Sequence, residues 1–464
     1  MKKLALVAII GVALTSSVNA KDTNIVEKVM QCNTVLTNGA LQFNAQKSGD
    51  GYDISIKPEN KTYSAIFNKN AKIHISVDEG PLITTPSFGF GKAGLKASGD
   101  ALNIFSKELL NDIDKKLKKH PKFTYEGKVS FGGELNSKSV IDGITINDDG
   151  ATFNTSNFII NNSMDIDNCI GKMDIHIPSI DIINQKPKGS LKAKDVDIVS
   201  EITDKPVDGI ALFGITNIKV KELSFKDKIG QKDVDAKFSL NIDTESKKVD
   251  NKYMDIVFKL ESEALNTNTI ALAQGIKKTE LDLELKNAQI DGILGLAKLS
   301  QEIDKLQNDL TQASMKNDDI ALQKALVKMN ELTSTKSVDI YNKVMVKDKT
   351  RLKLDFSLDG EKRSFVKLDL LYKANPISGN IQSAMIELAA QNLAVADGTF
   401  EVQLDSTMAT AVNPFAMIAL DMLKAKGFAT VKNGVYHLKG ELKGGKIVIN
   451  GKAYTLQELS RALF

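Results

Sequence analysis

The stretch Gly434-Val-Tyr-His-Leu-Lys-Gly-Glu-Leu-Lys-Gly-Gly-Lys-Ile-Val-Ile-Asn-Gly451 decides how the rest of the chain is read. Tyr436, Leu438, Gly440 and Leu442 fall at alternate positions, and so do Ile447 and Ile449. Successive side chains of a strand point to opposite faces, so this spacing separates an apolar face from a Lys/Glu face. Gly444-Gly445 supplies the positive φ of a tight hairpin turn, and Asn450-Gly451 marks a second turn. These five apolar side chains, Tyr436, Leu438, Leu442, Ile447 and Ile449, are the candidate core or ligand-groove residues.

The same half-apolar strand recurs outward from this hairpin. Val234 to Ile242 holds five apolar residues in strict alternation, and Met173/Ile175/Ile177, Ile256/Phe258/Leu260 and Leu281/Leu283/Leu285 repeat the scheme. Leu352 to Leu358 and Val366 to Tyr372 flank Asp359-Gly360 as a second hairpin, and Phe400/Val402/Leu404 predicts another strand. Further upstream, strands are expected at Tyr52/Ile54/Ile56, Tyr63/Ala65/Phe67 and Ile73/Ile75/Val77, followed by a loop over residues 80–94. One covered and one solvated face per strand means antiparallel pairing. The expected class is therefore mainly β (α+β), with extended, curved antiparallel sheets and a few amphipathic helices.

Helical spacing interrupts the strands at defined places. Leu102, Phe105, Leu109, Ile113 and Leu117 predict a helix over 101–119, ended by Pro121. Residues 293–332 carry two apolar stripes about Asn317-Asp-Asp319, a helical hairpin inserted between strands. Residues 25–36 and 414–426 also read as helices, with Phe415, Ile418 and Met422 expected to cover the C-terminal hairpin. The segment 381–393 fits either helix or strand. At 464 residues the chain divides into a leader at 1–20 and two β-rich lobes, 21–215 and 216–464.

Lys2 and Lys3, the apolar run Leu4 to Leu14 and Val18-Asn19-Ala20 have the organisation of a secretory signal. The expectation is export to the periplasm with cleavage after Ala20; an uncleaved inner-membrane anchor is the alternative. Export permits disulfides, and the two cysteines, Cys32 and Cys169, are either bridged or buried as separate thiols.

Composition removes several functions. Lys+Arg is 61 against Asp+Glu 58 and Trp is absent, which leaves neither the basic field nor the stacking platforms of a nucleic-acid binder. Gly89-Phe-Gly-Lys-Ala-Gly94 fits G-x-G-x-x-G, yet Pro86 precedes it and Ser98-Gly99 interrupts any following helix, so no dinucleotide cofactor is implied. His74, His120, His176 and His437 are dispersed, without metal-ligand spacing. The i, i+2 carboxylates, such as Asp282/Glu284, read as the solvated face of a strand. No G-x-S-x-G elbow is present. No cofactor, metal or catalytic residue is assigned from these patterns.

The closing pattern Gly427-Phe428…Gly434-x-Tyr436…Gly445-Lys-Ile-Val-Ile-Asn-Gly-Lys452 resembles the ending of the YdgA-like family of bacterial envelope proteins. That resemblance implies a cell-envelope location and a β-rich fold, and it brings no catalytic residues, because the family is a domain of unknown function. Members typically keep an N-terminal membrane segment, where residues 1–20 of this chain read as a cleavable signal. Two functions from different classes follow. One is a non-enzymatic periplasmic protein whose one-faced sheet binds a lipid or an apolar surface of a membrane-associated envelope protein. The other is a periplasmic hydrolase with a site dispersed over several loops.

Overall fold

The computed structural model describes residues 31–32, 34, 41–58, 68, 72–83, 90–107, 110–111, 116–130, 132–148, 150–185, 188–229, 232–267, 275–315, 318–412 and 416–463. The chain forms two units, Met1–Asp233 with Ser300–Leu326, and Val234–Leu299 with Val327–Phe464. Both are built of antiparallel strands joined to a few helices, the mainly β class that alternation implied.

The first unit contains β1 (Leu41–Ser48), β2 (Gly51–Pro58), β3 (Lys72–Ile83), β4 (Phe90–Asp100), β5 (Lys122–Val129) and β6 (Glu134–Ile141). It continues with β7 (Thr145–Asp148), β8 (Ala151–Thr155), β9 (Phe158–Asp165), β10 (Ile170–Gln185), β11 (Lys188–Ile202) and β12 (Gly214–Ile229). Strands β1 to β6 pair in sequence, β6 then pairs with β9, and β9 to β12 pair in sequence. Alternation here becomes strict burial. On β5, Phe123, Tyr125, Gly127 and Val129 are buried between exposed Lys122, Thr124 and Glu126. Tyr125, Phe105, Phe158, Leu41, Ile54, Ile56, Leu95, Leu135 and Ile141 are the largest fully buried side chains. Burying each is worth roughly 1.5–3 kcal/mol.

Two expectations in this unit are corrected. The helix expected over 101–119 does not start at its first residues: Ala101–Ile104 is a 3-10 turn, where Asp100 Oδ1 accepts from Leu102 N–H at 2.9 Å and Phe105 N–H returns to Leu102 O at 3.0 Å, while Lys107, Leu110 and Asn111 are helical, with Leu110 N–H donating to Ser106 O at 2.9 Å. Phe105 is already extended, and Leu117 forms a β-bridge with Ile146; residues 108–109 and 112–115 lie outside the described residues. Leu102 is buried from within the turn and Phe105 from the extended residue that follows it. The loop expected over 80–94 is largely strand, because β3 runs to Ile83 and β4 starts at Phe90, with a register shift between Glu79 and Leu82. Gly91 and Gly94 thus sit in a strand and not at a phosphate-binding turn. The strand expected at 63–67 and most of the helix at 25–36 lie outside the described residues; positions 31, 32 and 34 are helical.

The second unit takes in nearly all of β13 (Lys232–Lys248), then β14 (Tyr253–Thr267), β15 (Lys278–Gln289), β16 (Arg351–Asp359) and β17 (Arg363–Tyr372). After these come β18 (Ala396–Asp405), β19 (Thr430–Lys432), β20 (Val435–Lys443), β21 (Lys446–Ile449) and β22 (Lys452–Tyr454). Strands β13 to β18 pair in sequence, and β18 pairs with β20. Gly444 and Gly445 at φ 56° and 78° make the tight turn between β20 and β21.

Helices α1 (Ile290–Met315) and α2 (Asp319–Glu331) occupy the stretch expected to be helical, with Asp318 Oδ1 accepting from Ala321 N–H at 3.0 Å. The sequence reading stopped at 332, whereas a π-helical turn, Leu332–Lys336, carries the helix on into α3 (Ser337–Val344). Gly292 and Gly295 let α1 approach α3: a Cβ at Gly292 would stand 2.6 Å from Val344 N. The ambiguous segment is helix α4 (Ile381–Gln391). The helix expected over 414–426 is α6 (Ala416–Ala425), preceded by a further helix, α5 (Ser406–Val412), and α7 (Leu456–Leu463) closes the described chain.

Candidate functional site

The strand registers of the second unit align the apolar side chains into rows. One row crosses Phe258, Leu283, Leu354, Leu368 and Phe400 to Gly440 and Ile449. The next crosses Ile242, Leu260, Leu281, Phe356, Val366, Val402 and Leu438. A third crosses Ile256, Leu285, Leu352, Leu370, Gly398 and Leu442 to Ile447. Side chains directly opposite in an antiparallel pair share a face, so the three rows make one apolar surface. With strands about 4.8 Å apart, the run from β14 to β20 is roughly 24 Å long.

This face differs from the core of the first unit in one respect. From Phe258 to Phe400, and from Ile242 to Leu438, every side chain is half-buried and none is buried. Apolar side chains of a closed core lose nearly all contact with water, and these do not.

Among the described residues, helices pack on the face at its two ends. At one end, α5 and α6 pack Ala409, Leu420, Met417 and Leu423 on Leu404 and Tyr436. Tyr436 Oη donates to Asp421 Oδ1 at 2.5 Å, which holds the phenol proton above its ordinary range. Ile418, expected to cover the hairpin, is 61% exposed, because the buried stripe of α6 runs through 416, 417, 420 and 423. Met422 is only half-buried, and Phe415 lies outside the described residues. At the other end, α3 and α4 lean over the third row and leave an apolar cavity of about 570 Å³. Tyr341, Leu352, Leu370, Tyr372 and Leu388 line it.

The opposite face is a ladder of charges. Lys259 reaches Asp282 at 3.1 Å, Lys367 reaches Asp355 at 2.8 Å, and Arg351 pairs with Asp369. His437 Nε2 lies 2.8 Å from Glu401 Oε1. The Lys278 ammonium contacts Glu261 and Glu280, and these hydrogen bonds push its pKa up while Glu280 is held below the usual carboxylate range. A cleft of about 410 Å³ opens among Asp282, Glu284, Lys353, Asp355, Lys367 and Lys439. Its carboxylates face lysines, an arrangement that stabilises strand pairing and offers no nucleophile beside a base.

The candidate residues are therefore divided by the fold. Tyr436 and Ile449 are buried, whereas Leu438, Leu442 and Ile447 are half-buried on the open rows. Cys32 and Cys169 form a disulfide in the first unit across a sequence separation of 137 residues. Sequence reasoning missed the cavity, since its wall at 381–393 was ambiguous and its floor comes from strands distant in the chain. Among the described residues no group of three or more His, Cys, Asp or Glu is placed to hold a metal, and no helix is long and apolar enough to cross a membrane.

Residues 68–457 match the family model described as a bacterial protein of unknown function, DUF945. No curated protein and no solved structure matches the chain.

Proposed function

We propose that this chain, which belongs to the DUF945 family of bacterial proteins of unknown function, is a non-enzymatic cell-envelope protein that holds a lipid acyl chain on the open apolar face of its second unit. The observation that carries this reading is the unbroken run of half-buried aliphatic and phenyl side chains from Ile242 and Phe258 to Leu438. Contiguous apolar surface of this kind marks an interaction site, and a flat aliphatic strip suits an alkyl chain. A run of roughly 24 Å exceeds the length of one acyl chain, two of which span a bilayer core of about 30 Å.

Export supports the same reading. The leader at 1–20, with cleavage after Ala20, would deliver the chain to the periplasm, and a disulfide such as Cys32–Cys169 persists in an oxidising compartment. The closing motif at 427–452 carries the finer resemblance to YdgA-like envelope proteins. The alternative, an envelope hydrolase, would have to use the charged cleft, whose carboxylates are paired with Lys, Arg and His side chains.

The test is native mass spectrometry of the exported protein, with Leu281→Gln/Leu354→Gln as comparison. Acyl-lipid adducts on the wild type, diminished in the double variant, are expected. A lipid-free wild type, or capture of a partner protein in place of lipid, overturns the reading.

A further inference from the structure

Helix α4, which leans over the apolar cavity, carries a second apolar face toward solvent. Its inner side, Ala384 and Leu388, packs on Val338 and Tyr341 of α3 and on Ile377. On its outer side Ile381, Met385 and Ile386 are 45%, 66% and 70% exposed, and Ala389 and Ala390 continue the surface. At helical spacing these positions fall on one side of α4. The helix has one charged residue, Glu387, whose carboxylate accepts from the N–H and the hydroxyl of Ser378, each at 3.0 Å. A single exposed apolar side chain needs no explanation, but three on one uncharged helix face mark an interaction surface.

Beside this face stands a pair of cations. The 3-10 turn Asn392–Val395 follows α4, and its Ala394 lies against the tip of the β20–β21 hairpin: a Cβ on Gly445 would stand 3.5 Å from Ala394 Cβ. Lys443 and Lys446 flank that tip as register partners, and both are exposed. Like charges directly opposite on paired strands repel. Among the described residues neither makes an ion pair; Glu458, which accepts from Thr455 N–H at 2.7 Å, is near enough to feel Lys446 without pairing with it.

We infer that α4 and the Lys443/Lys446 tip dock this protein on the surface of an anionic phospholipid bilayer, with Ile381, Met385 and Ile386 entering the boundary between headgroups and acyl chains and the two ammonium groups meeting lipid phosphates. The lipid charge relieves the repulsion between the two lysines. At 11 residues α4 is too short to span a bilayer and lies in its surface, as apolar helices flanked by cations do. A protein partner would call for a polar rim, and the outer side of α4 offers Gln382 alone. The purpose of docking rests on the acyl-chain reading above. Leu388 and Ala389 of the same helix line the cavity, whose Leu352 and Leu370 belong to the third apolar row, so docking brings the cavity to the lipid.

The experiment is co-sedimentation of the exported protein with vesicles of phosphatidylcholine alone and of equal parts phosphatidylcholine and phosphatidylglycerol. The wild type should pellet with the anionic vesicles. Met385→Ser/Ile386→Ser should bind them at least about tenfold more weakly, at an unchanged melting temperature because both side chains are exposed. Lys443→Ala/Lys446→Ala should lose roughly fivefold per lysine on anionic vesicles and nothing on phosphatidylcholine. Leu281→Gln/Leu354→Gln, on the open face, should dock like the wild type. The chain has no tryptophan, so Ile386→Trp places a single reporter on the outer face of α4. Its emission should shift to the blue on anionic vesicles, whereas Lys439→Trp, on the charged face, should not shift. Wild-type binding by both the α4 and the lysine variants, or an unshifted Ile386→Trp, overturns the docking. So does a wild type that ignores both vesicles while the α4 variant loses a co-purifying protein. Acyl-lipid adducts on a protein that binds no vesicle leave the acyl-chain reading standing without the docking; docking without adducts leaves the docking and removes that reading.

Discussion

The ring of Phe400 lies over the Cα of Gly440: a Cβ on Gly440 would stand 2.5 Å from Phe400 Cζ and 2.7 Å from Val448 O. The two residues are register partners on β18 and β20. A glycine in mid-strand ordinarily weakens pairing, but here it gives the phenyl ring a seat and keeps the apolar row level.

Gly440→Ala should therefore destabilise the second unit by about 1–3 kcal/mol, as overpacking does, since one of the two contacts is backbone that cannot turn aside. Denaturant unfolding measures it. A midpoint equal to the wild type would show that Phe400 does not sit on Gly440.

The hairpin residues should separate by burial. Ile449→Ala removes a buried side chain and should cost about 2–5 kcal/mol. Leu438→Ala acts on a half-buried position and should cost about half as much while reducing retained lipid. Lys439→Ala and Lys446→Ala, both exposed, should stay within about 0.5 kcal/mol of the wild type. Thermal melts and lipid content on the same four proteins check all three statements; equal losses for Leu438 and Ile449 would make the face a closed core.

Reduction should loosen the first unit. A bridge over a separation of 137 residues is worth about 5 kcal/mol on the chain-entropy model. Cys32→Ser should melt well below the wild type, and the oxidised protein should migrate faster than the reduced one in a denaturing gel. Identical mobility, with two thiols titratable after denaturation, would exclude the bridge.

His74 sits between Asp53, 2.9 Å from Nδ1, and Asp50, 3.2 Å from Nε2. The Asp53 hydrogen bond is the main reason His74 titrates above its ordinary 6.5, and that bond also holds Asp53 below its ordinary 3.8. A raised histidine stabilises the fold fully below 6.5 and loses that contribution as pH rises through the raised value. The depressed Asp53 contributes above 3.8 and loses its contribution as pH falls through the lowered value. His74→Asn should flatten the decline in melting temperature above pH 6.5, by a small amount because the pair is solvent-screened. A variant profile parallel to the wild type would rule this pair out as a source of pH dependence.

Much of the fold was legible in local pattern. The alternations at 234–242, 352–372 and 434–451 became β13, β16, β17, β20 and β21, and the stripes over 293–332 became α1 and α2. Where short-range signals competed, reading failed. Leu102 and Phe105 fit one helix by spacing, yet Leu102 is buried from a 3-10 turn and Phe105 from the extended residue after it, and the Ala101 N–H donates to Pro121 O across the segment. On α6, apolar residues occur on more than one side, so only contact with Tyr436 chose Leu420 over Ile418.

The sequence by itself determined which side chains share a face, because a period of two or of 3.6 is a property of the local backbone. It could not determine burial. The alternation of β5 and that of β15 look alike, yet β5 is alternately buried and exposed while nearly all of β15 is half-buried. Which elements come to lie over a strand depends on residues far away in the chain. In the first unit they close over Tyr125; in the second, among the described residues, α3 to α6 pack on the ends of the rows and the middle stays half-buried. The candidate site exists in that difference, and only the tertiary structure decided it.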